Sequence, residues 1–173
     1  RFGQWPDQHR VLIISEDLKN TIIPNRIVDL INFAIMPNHF HLTVHETEEN
    51  GIARYMQRVL NGYTKYFNTK YKKSGHLFQG PYKAVHINHD RQLLYLSAYI
   101  HKNPKELKKW ERKIEYYPWS SYQDYTKENR WDELLQNGII KKQFSNEKEY
   151  RKFIETSGAK ELKKALNEDH LLL

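Results

Sequence analysis

The chain reads as an α+β domain: an antiparallel sheet with helices packed on one face, followed by a short helical C-terminal tail. Three observations predict this. Apolar runs of strand length recur before residue 46 and again near residue 85, and two longer segments carry apolar residues at helical spacing. The length of 173 residues suits one domain with a real core. The order strand, strand, strand, helix, strand, helix then favours an antiparallel sheet. We expect the sheet and main helices within 1–125 and a helical extension over 126–173.

Arg10–Ser15 (Arg-Val-Leu-Ile-Ile-Ser) has the composition of a short buried strand. Residues 27–35 form a second apolar run, Pro37-Asn38 is a turn signal, and His39–His45 continues as a third strand, so a central hairpin is expected. Ile52–Tyr71 is the clearest helix. Ile52, Tyr55, Met56, Val59, Leu60, Tyr63, Phe67 and Tyr71 recur every three or four residues as a core face, and Arg54, Arg58, Lys65 and Lys72 lie on a second, basic stripe. Lys83, Val85 and Ile87 alternate in an expected fourth strand over Tyr82–Asn88. Asp90 is placed to cap a helix over Arg91–Asn103, which Pro104 ends. Tyr116–Tyr122 is an aromatic loop, and Trp131–Leu135, Glu147–Glu155 and Ala159–Leu166 have the pattern of short helices.

Within the hairpin, His39-Phe40-His41 carries the chemistry. Alternate strand residues share a face, so both imidazoles point one way while Phe40 turns into the core. Two imidazoles side by side make two legs of a divalent metal site. The chain has no cysteine, which leaves His, carboxylate and amide oxygen as ligands and excludes disulfides. About sixty residues later, Tyr99 and Asn103 stand one turn apart on a helix and share a face. A metal pair with a nearby tyrosine suits phosphodiester chemistry. His45, on the same strand face as His41, is an alternative ligand, and Tyr95 is a rival nucleophile. His76, His86, His89 and His101 are candidates for DNA contact or ordinary surface residues.

Charge points to the same class of partner. The net charge is +7, and the span 51–89 has seven Lys and Arg with no Asp or Glu, so the whole excess lies there. Arg54, Arg58, Lys65, Lys72, Lys73 and Lys83 are therefore the expected DNA-binding residues. Interleaved tyrosines and phenylalanines suit stacking platforms beside a backbone-tracking groove. No run of about eighteen apolar residues spans a membrane, the first residues lack a secretory apolar region, and a cytoplasmic setting is expected.

Four ordered motifs then resemble a known family. Met36-Pro37-Asn38-His39-Phe40-His41, Ser74-Gly75-His76-Leu77-Phe78-Gln79-Gly80, Tyr99-Ile100-His101-Lys102-Asn103-Pro104 and Tyr117-Pro118-Trp119-Ser120-Ser121-Tyr122 are similar to segments of the REP-associated tyrosine transposases. These are HUH single-strand endonucleases with one catalytic tyrosine, relatives of the small insertion-sequence transposases. The resemblance runs from about Ile27 to Tyr125. It implies a ferredoxin-like fold, Mg²⁺ or Mn²⁺ as cofactor, and cleavage of single-stranded DNA beside imperfect hairpins through a covalent 5′-phosphotyrosine. It makes His39 and His41 metal ligands, Asn103 the third ligand and Tyr99 the nucleophile, in a monomer or homodimer. Two departures stand out: no Asn-Arg-Gly stretch precedes Arg10, and Pro81 stands where the family has Arg. Two other readings fit parts of the chain: a non-catalytic nucleic-acid-binding module using the basic span alone, and a replication initiator or relaxase.

Overall fold

Val28–Ile35 (β1) and Phe40–Glu46 (β2) pair antiparallel as the only ladder among the described residues, which are 20–158 of a computed structural model. The hairpin closes tightly around Pro37-Asn38: the Met36 N–H donates to the His39 carbonyl at 2.8 Å. Register runs from Ile35↔Phe40 through Ala34↔His41 and Asn32↔Thr43, then slips between Leu30 and Asn32 so that Asp29 faces His45. The slip is a bulge: Ile31 is the extra residue, and it enters the main apolar cluster.

The other edge of β1 is covered by the aromatic loop. Ser120 bridges Ala34, the Ile35 N–H donates to Trp119 O, and the Ser121 N–H donates to Phe33 O. Arg130 holds this loop in place. Its guanidinium makes a two-pronged contact with the fully buried Asp124 carboxylate at 2.9 and 2.7 Å and also donates to Ser120 O. A planar guanidinium fits a carboxylate in this way and still has N–H groups to spare.

Gly51–Tyr71 forms α1 and Asp90–Lys102 forms α2, close to the expected limits. Tyr122–Thr126 (α3), Gly138–Lys141 (α4) and Glu147–Thr156 (α5) follow, with short 3₁₀ turns between. Ile31, Leu93, Ala98, Tyr122, Tyr125, Ile140, Tyr150 and Ile154 share one apolar cluster, so the last helices close over α2. The expected α+β architecture with an antiparallel sheet is present.

Several details differ from expectation. Residues 82–88 join no ladder and run as an irregular segment, although Lys83, Val85 and Ile87 alternate. Alternation marks a pleat only where a neighbouring strand supplies hydrogen bonds, and none of the described residues does so. The cap of α2 is His89, whose Nδ1 accepts from the Gln92 N–H at 3.1 Å, and Asp90 is the first helical residue. The helix stops at Lys102, with Asn103 opening a 3₁₀ turn into Pro104. Trp131–Leu135 is a 3₁₀ turn over Asp132–Leu134. The stripe on α1 expected to be a core face is only partly covered among the described residues: Met56 is buried, Ile52, Tyr55, Leu60 and Phe67 are half-buried, and Val59, Tyr63 and Tyr71 are exposed. The expected strand Arg10–Ser15 and helix Ala159–Leu166 lie outside the described residues. No helix among the described residues is long and apolar enough to cross a membrane.

Candidate metal and tyrosine site

The hairpin turn sets His39 and His41 on one side of β2, with ring centroids 5.0 Å apart and edge to face. Ala34, the cross-strand partner of His41, is small and wholly buried, which leaves room above the sheet. Helix α2 fills that room. Tyr99 meets His41 with ring centroids 5.2 Å apart, and Asn103 Oδ1 lies 3.2 Å from His39 Nε2. The two pairs match because the spacings match. Two residues along a strand advance about 6.6 Å, and four along a helix about 6 Å. His39 with Asn103 and His41 with Tyr99 therefore stack as two rungs between strand and helix.

Hydrogen bonding fixes how His39 presents itself. The ring Nδ1 lies 2.8 Å from Asn38 Oδ1. Both ring nitrogens face amide oxygens, which can only accept; the neutral tautomer that donates through the shorter contact has its proton on Nδ1 and its Nε2 lone pair towards Asn103. In that tautomer the Nε2 lone pair and Asn103 Oδ1 are two acceptors 3.2 Å apart, an arrangement that suits a cation shared between them. His41 Nε2 is buried and has no hydrogen-bond partner, a state that costs about 1–3 kcal/mol unless something binds it. Burial pushes the His41 imidazole below its usual range and the neighbouring His39 adds to this, while the Glu106 carboxylate pulls the other way. A neutral ring keeps its ligand lone pair available. Among the described residues no three His, Cys, Asp or Glu side chains converge; the third donor beside the two imidazoles would be the Asn103 amide oxygen. Two imidazoles and one amide oxygen fit a divalent cation that accepts mixed nitrogen and oxygen ligands, with positions left open.

Tyr99 is 39 % exposed and reachable from solvent. Tyr95, one turn earlier, packs its ring against Phe153 at 5.6 Å under the Arg91 guanidinium and faces α5. His45 is exposed and leans to Asp29 at 3.4 Å, away from the pair. His101 is the clearest surprise, being fully buried. Its Nδ1 accepts from the Tyr150 hydroxyl at 2.7 Å, and its Nε2–H donates to Ser121 Oγ at 2.8 Å. Ser121 in turn brackets the Phe33 backbone in β1. This chain of bonds ties α2, α5 and the sheet together two residues from Asn103. Burial pushes the His101 pKa down to about 3, so the ring is neutral.

Phe40, pointing away from the histidines, is half-buried rather than in the core and meets Phe78 at 6.1 Å. Of the expected DNA-binding residues, Arg54, Arg58 and Lys65 are exposed on α1, and Lys72 caps it in a left-handed conformation, φ 50°. Arg54 is paired with Glu48 at 2.7 Å, so its charge is partly compensated. Lys73 and Lys83 are exposed beyond the helix. Asn38 was not anticipated as part of the site. Its place immediately before the first histidine, inside the turn, was the available signal.

Residues 8–103, more than half of the chain, match the family model described as IS200-like transposase. No curated protein and no solved structure matches the chain. The paired imidazoles under a tyrosine helix lie within the matched span: the chain belongs to the IS200-like transposases, DNA-processing proteins of transposase type, and its partner is DNA.

Proposed function

We propose that the protein is a divalent-metal-dependent endonuclease and strand transferase acting on single-stranded DNA beside imperfect hairpins, with Tyr99 as nucleophile. The observation that carries this reading is the pair of rungs: Tyr99 over His41 at 5.2 Å and Asn103 against His39 at 3.2 Å. An ordinary amphipathic helix has no reason to turn an exposed tyrosine and a buried amide onto two imidazoles.

His39 Nε2, His41 Nε2 and Asn103 Oδ1 would hold Mg²⁺ or Mn²⁺, which when bound withdraws charge from the scissile phosphate. Asn38 keeps His39 in the tautomer that presents Nε2. The Tyr99 hydroxyl gives up its proton to solvent and its oxygen attacks phosphorus. The bond to the 3′ oxygen breaks, that oxygen takes a proton, and the 5′ phosphate stays on Tyr99 as an ester. Because the ester conserves the energy of the phosphodiester, a second 3′ hydroxyl can reverse the step and join a new strand without a nucleotide cofactor. Arg58, Lys65, Lys72, Lys73 and Lys83, with Arg54 in part, supply phosphate contacts that position the strand.

The test is a covalent adduct. With end-labelled single-stranded hairpin DNA and Mg²⁺ or Mn²⁺, wild type should form a complex that survives denaturing electrophoresis, with label retained only on the fragment 3′ of the cut. Tyr99→Phe should form none yet bind the DNA comparably, Tyr95→Phe should form it normally, and EDTA should abolish it. An adduct in Tyr99→Phe moves the chemistry to another tyrosine. DNA binding without cleavage or adduct in any condition makes the protein a non-catalytic binding module.

A further inference from the structure

The outer half of α1 carries an organised aromatic surface outside the metal and tyrosine site. Tyr63, Tyr66 and Tyr71 are 43 %, 53 % and 48 % exposed, and a concentrated exposed aromatic patch marks a binding surface. The rings form a line. Tyr66 lies 6.3 Å from Tyr63, Tyr63 lies 6.2 Å from Phe78, and Phe78 reaches Phe40, the residue between the two histidines. Lys70 donates to the Tyr66 hydroxyl at 2.9 Å and sits 5.3 Å from that ring's centre.

Gly62, Lys65, Tyr66, Thr69 and Lys70 border a shallow hollow on the same side of the helix. At Gly62 an added Cβ would meet nothing within 4 Å. Glycine in mid-helix weakens the helix relative to alanine, and no neighbour among the described residues requires it here. Charge selects the occupant. The span 51–89 contains no acidic residue, so the patch faces a polyanion that also offers flat rings. Duplex DNA hides its base faces; a single strand exposes them.

We propose that the outer half of α1 is a base-stacking platform for single-stranded DNA: Tyr66 and Tyr63 take neighbouring bases, Lys65 and Lys70 hold the adjacent phosphates, and Gly62 lets the strand approach the helix backbone. This rests on DNA being the partner but not on the cleavage chemistry. The aromatic line through Phe78 leads the strand from the platform towards the hairpin that carries His39 and His41.

The full chain is titrated with fluorescent oligo(dT), twenty nucleotides long, in EDTA across a salt series. Tyr66→Ala should bind about tenfold more weakly with an unchanged salt slope, because a stack is lost and no phosphate contact is. Tyr66→Trp should restore binding. Wild type should bind an abasic strand of equal length more weakly than oligo(dT), whereas Tyr66→Ala should discriminate little. Gly62→Ala should raise the thermal midpoint yet lower affinity, a split that a purely structural glycine does not produce. The proposal is overturned if Tyr66→Ala binds oligo(dT) like wild type, or loses intact and abasic strands equally. It is also overturned if Tyr66→Ala only lowers the thermal midpoint, which assigns the patch to another part of this chain, or only dissolves a dimer, which assigns it to a second copy. No metal or cutting is involved, so these outcomes are independent of the adduct experiment.

Discussion

Helices α1 and α2 are both amphipathic by pattern, yet the fold treats them differently. In α2, Gln92, Leu93, Ser97, Ala98, Ile100 and His101 are buried, and hydrogen bonds reach from His101 to both α5 and the sheet. In α1 only Gly51 and Met56 are buried; Leu60 and Phe67 are half-buried, and Val59, Tyr63, Tyr66 and Tyr71 are exposed among the described residues. The difference separates two tasks. On the proposed function, a nucleophile and a ligand tolerate little displacement, and Tyr99 and Asn103 go with the helix that is bonded on several sides. The proposed contacts to a flexible strand tolerate looseness, and their cations sit on the helix whose buried residues are Gly51 and Met56 alone.

The strongest way to break the comparison is to cut the anchor of α2. His101→Ala should cost roughly 3–5 kcal/mol, because it opens a cavity and strands the Tyr150 and Ser121 hydroxyls. Denaturant unfolding measures it; a loss below about 1 kcal/mol would mean α2 is held by its apolar contacts alone. Acid offers a gentler version. The unfolded His101 imidazole takes a proton near pH 6.5 and the folded one only near pH 3. The stability gained by keeping it neutral is complete above the first value and drains as pH falls towards the second. By about pH 5 the protein should have lost about 2 kcal/mol through this residue. His41 shifts in the same direction. A stability curve flat from about pH 7 to 5 would contradict the burial of His101. The smallest stability effect belongs to α1. Charge reversal at Arg58 and Lys65 should change stability by less than about 0.5 kcal/mol while flattening the salt dependence of DNA binding by roughly one slope unit per lost phosphate contact. An unchanged slope would place the strand elsewhere.

Much of the site was legible because it is local. His39, Phe40 and His41 alternate on any strand, and Tyr99 and Asn103 share a face on any helix; only their meeting required the fold. Both long helices were found within a residue or two for the same reason. The misses come from long-range partners that no local pattern encodes. Residues 82–88 alternate as a strand does, but pairing decides a strand. His101 reads as polar, and its burial depends on Tyr150 and Ser121, 49 and 20 residues away. The loop Trp119–Ser121 covers the edge of β1 although it reads as aromatic filler, because its backbone supplies the bonds. The apolar stripe of α1 misled in the opposite sense: periodicity reports that a face is apolar, not what covers it.

The start of α1 sets where its far end goes. Gly51 lies so close to the Ile27 carbonyl that any Cβ there would collide with backbone, and Glu46, the last residue of β2, accepts the Ile52 N–H at 3.0 Å. The helix is thus a lever pivoted on the sheet, 21 residues and about 30 Å long. A larger residue at the pivot that tilted it by ~10° would swing the tip by ~5 Å, more than the ~3 Å length of a hydrogen bond to a phosphate. One hydrogen atom in place of a methyl group at position 51 therefore sets the aim of every cation on the arm beyond it.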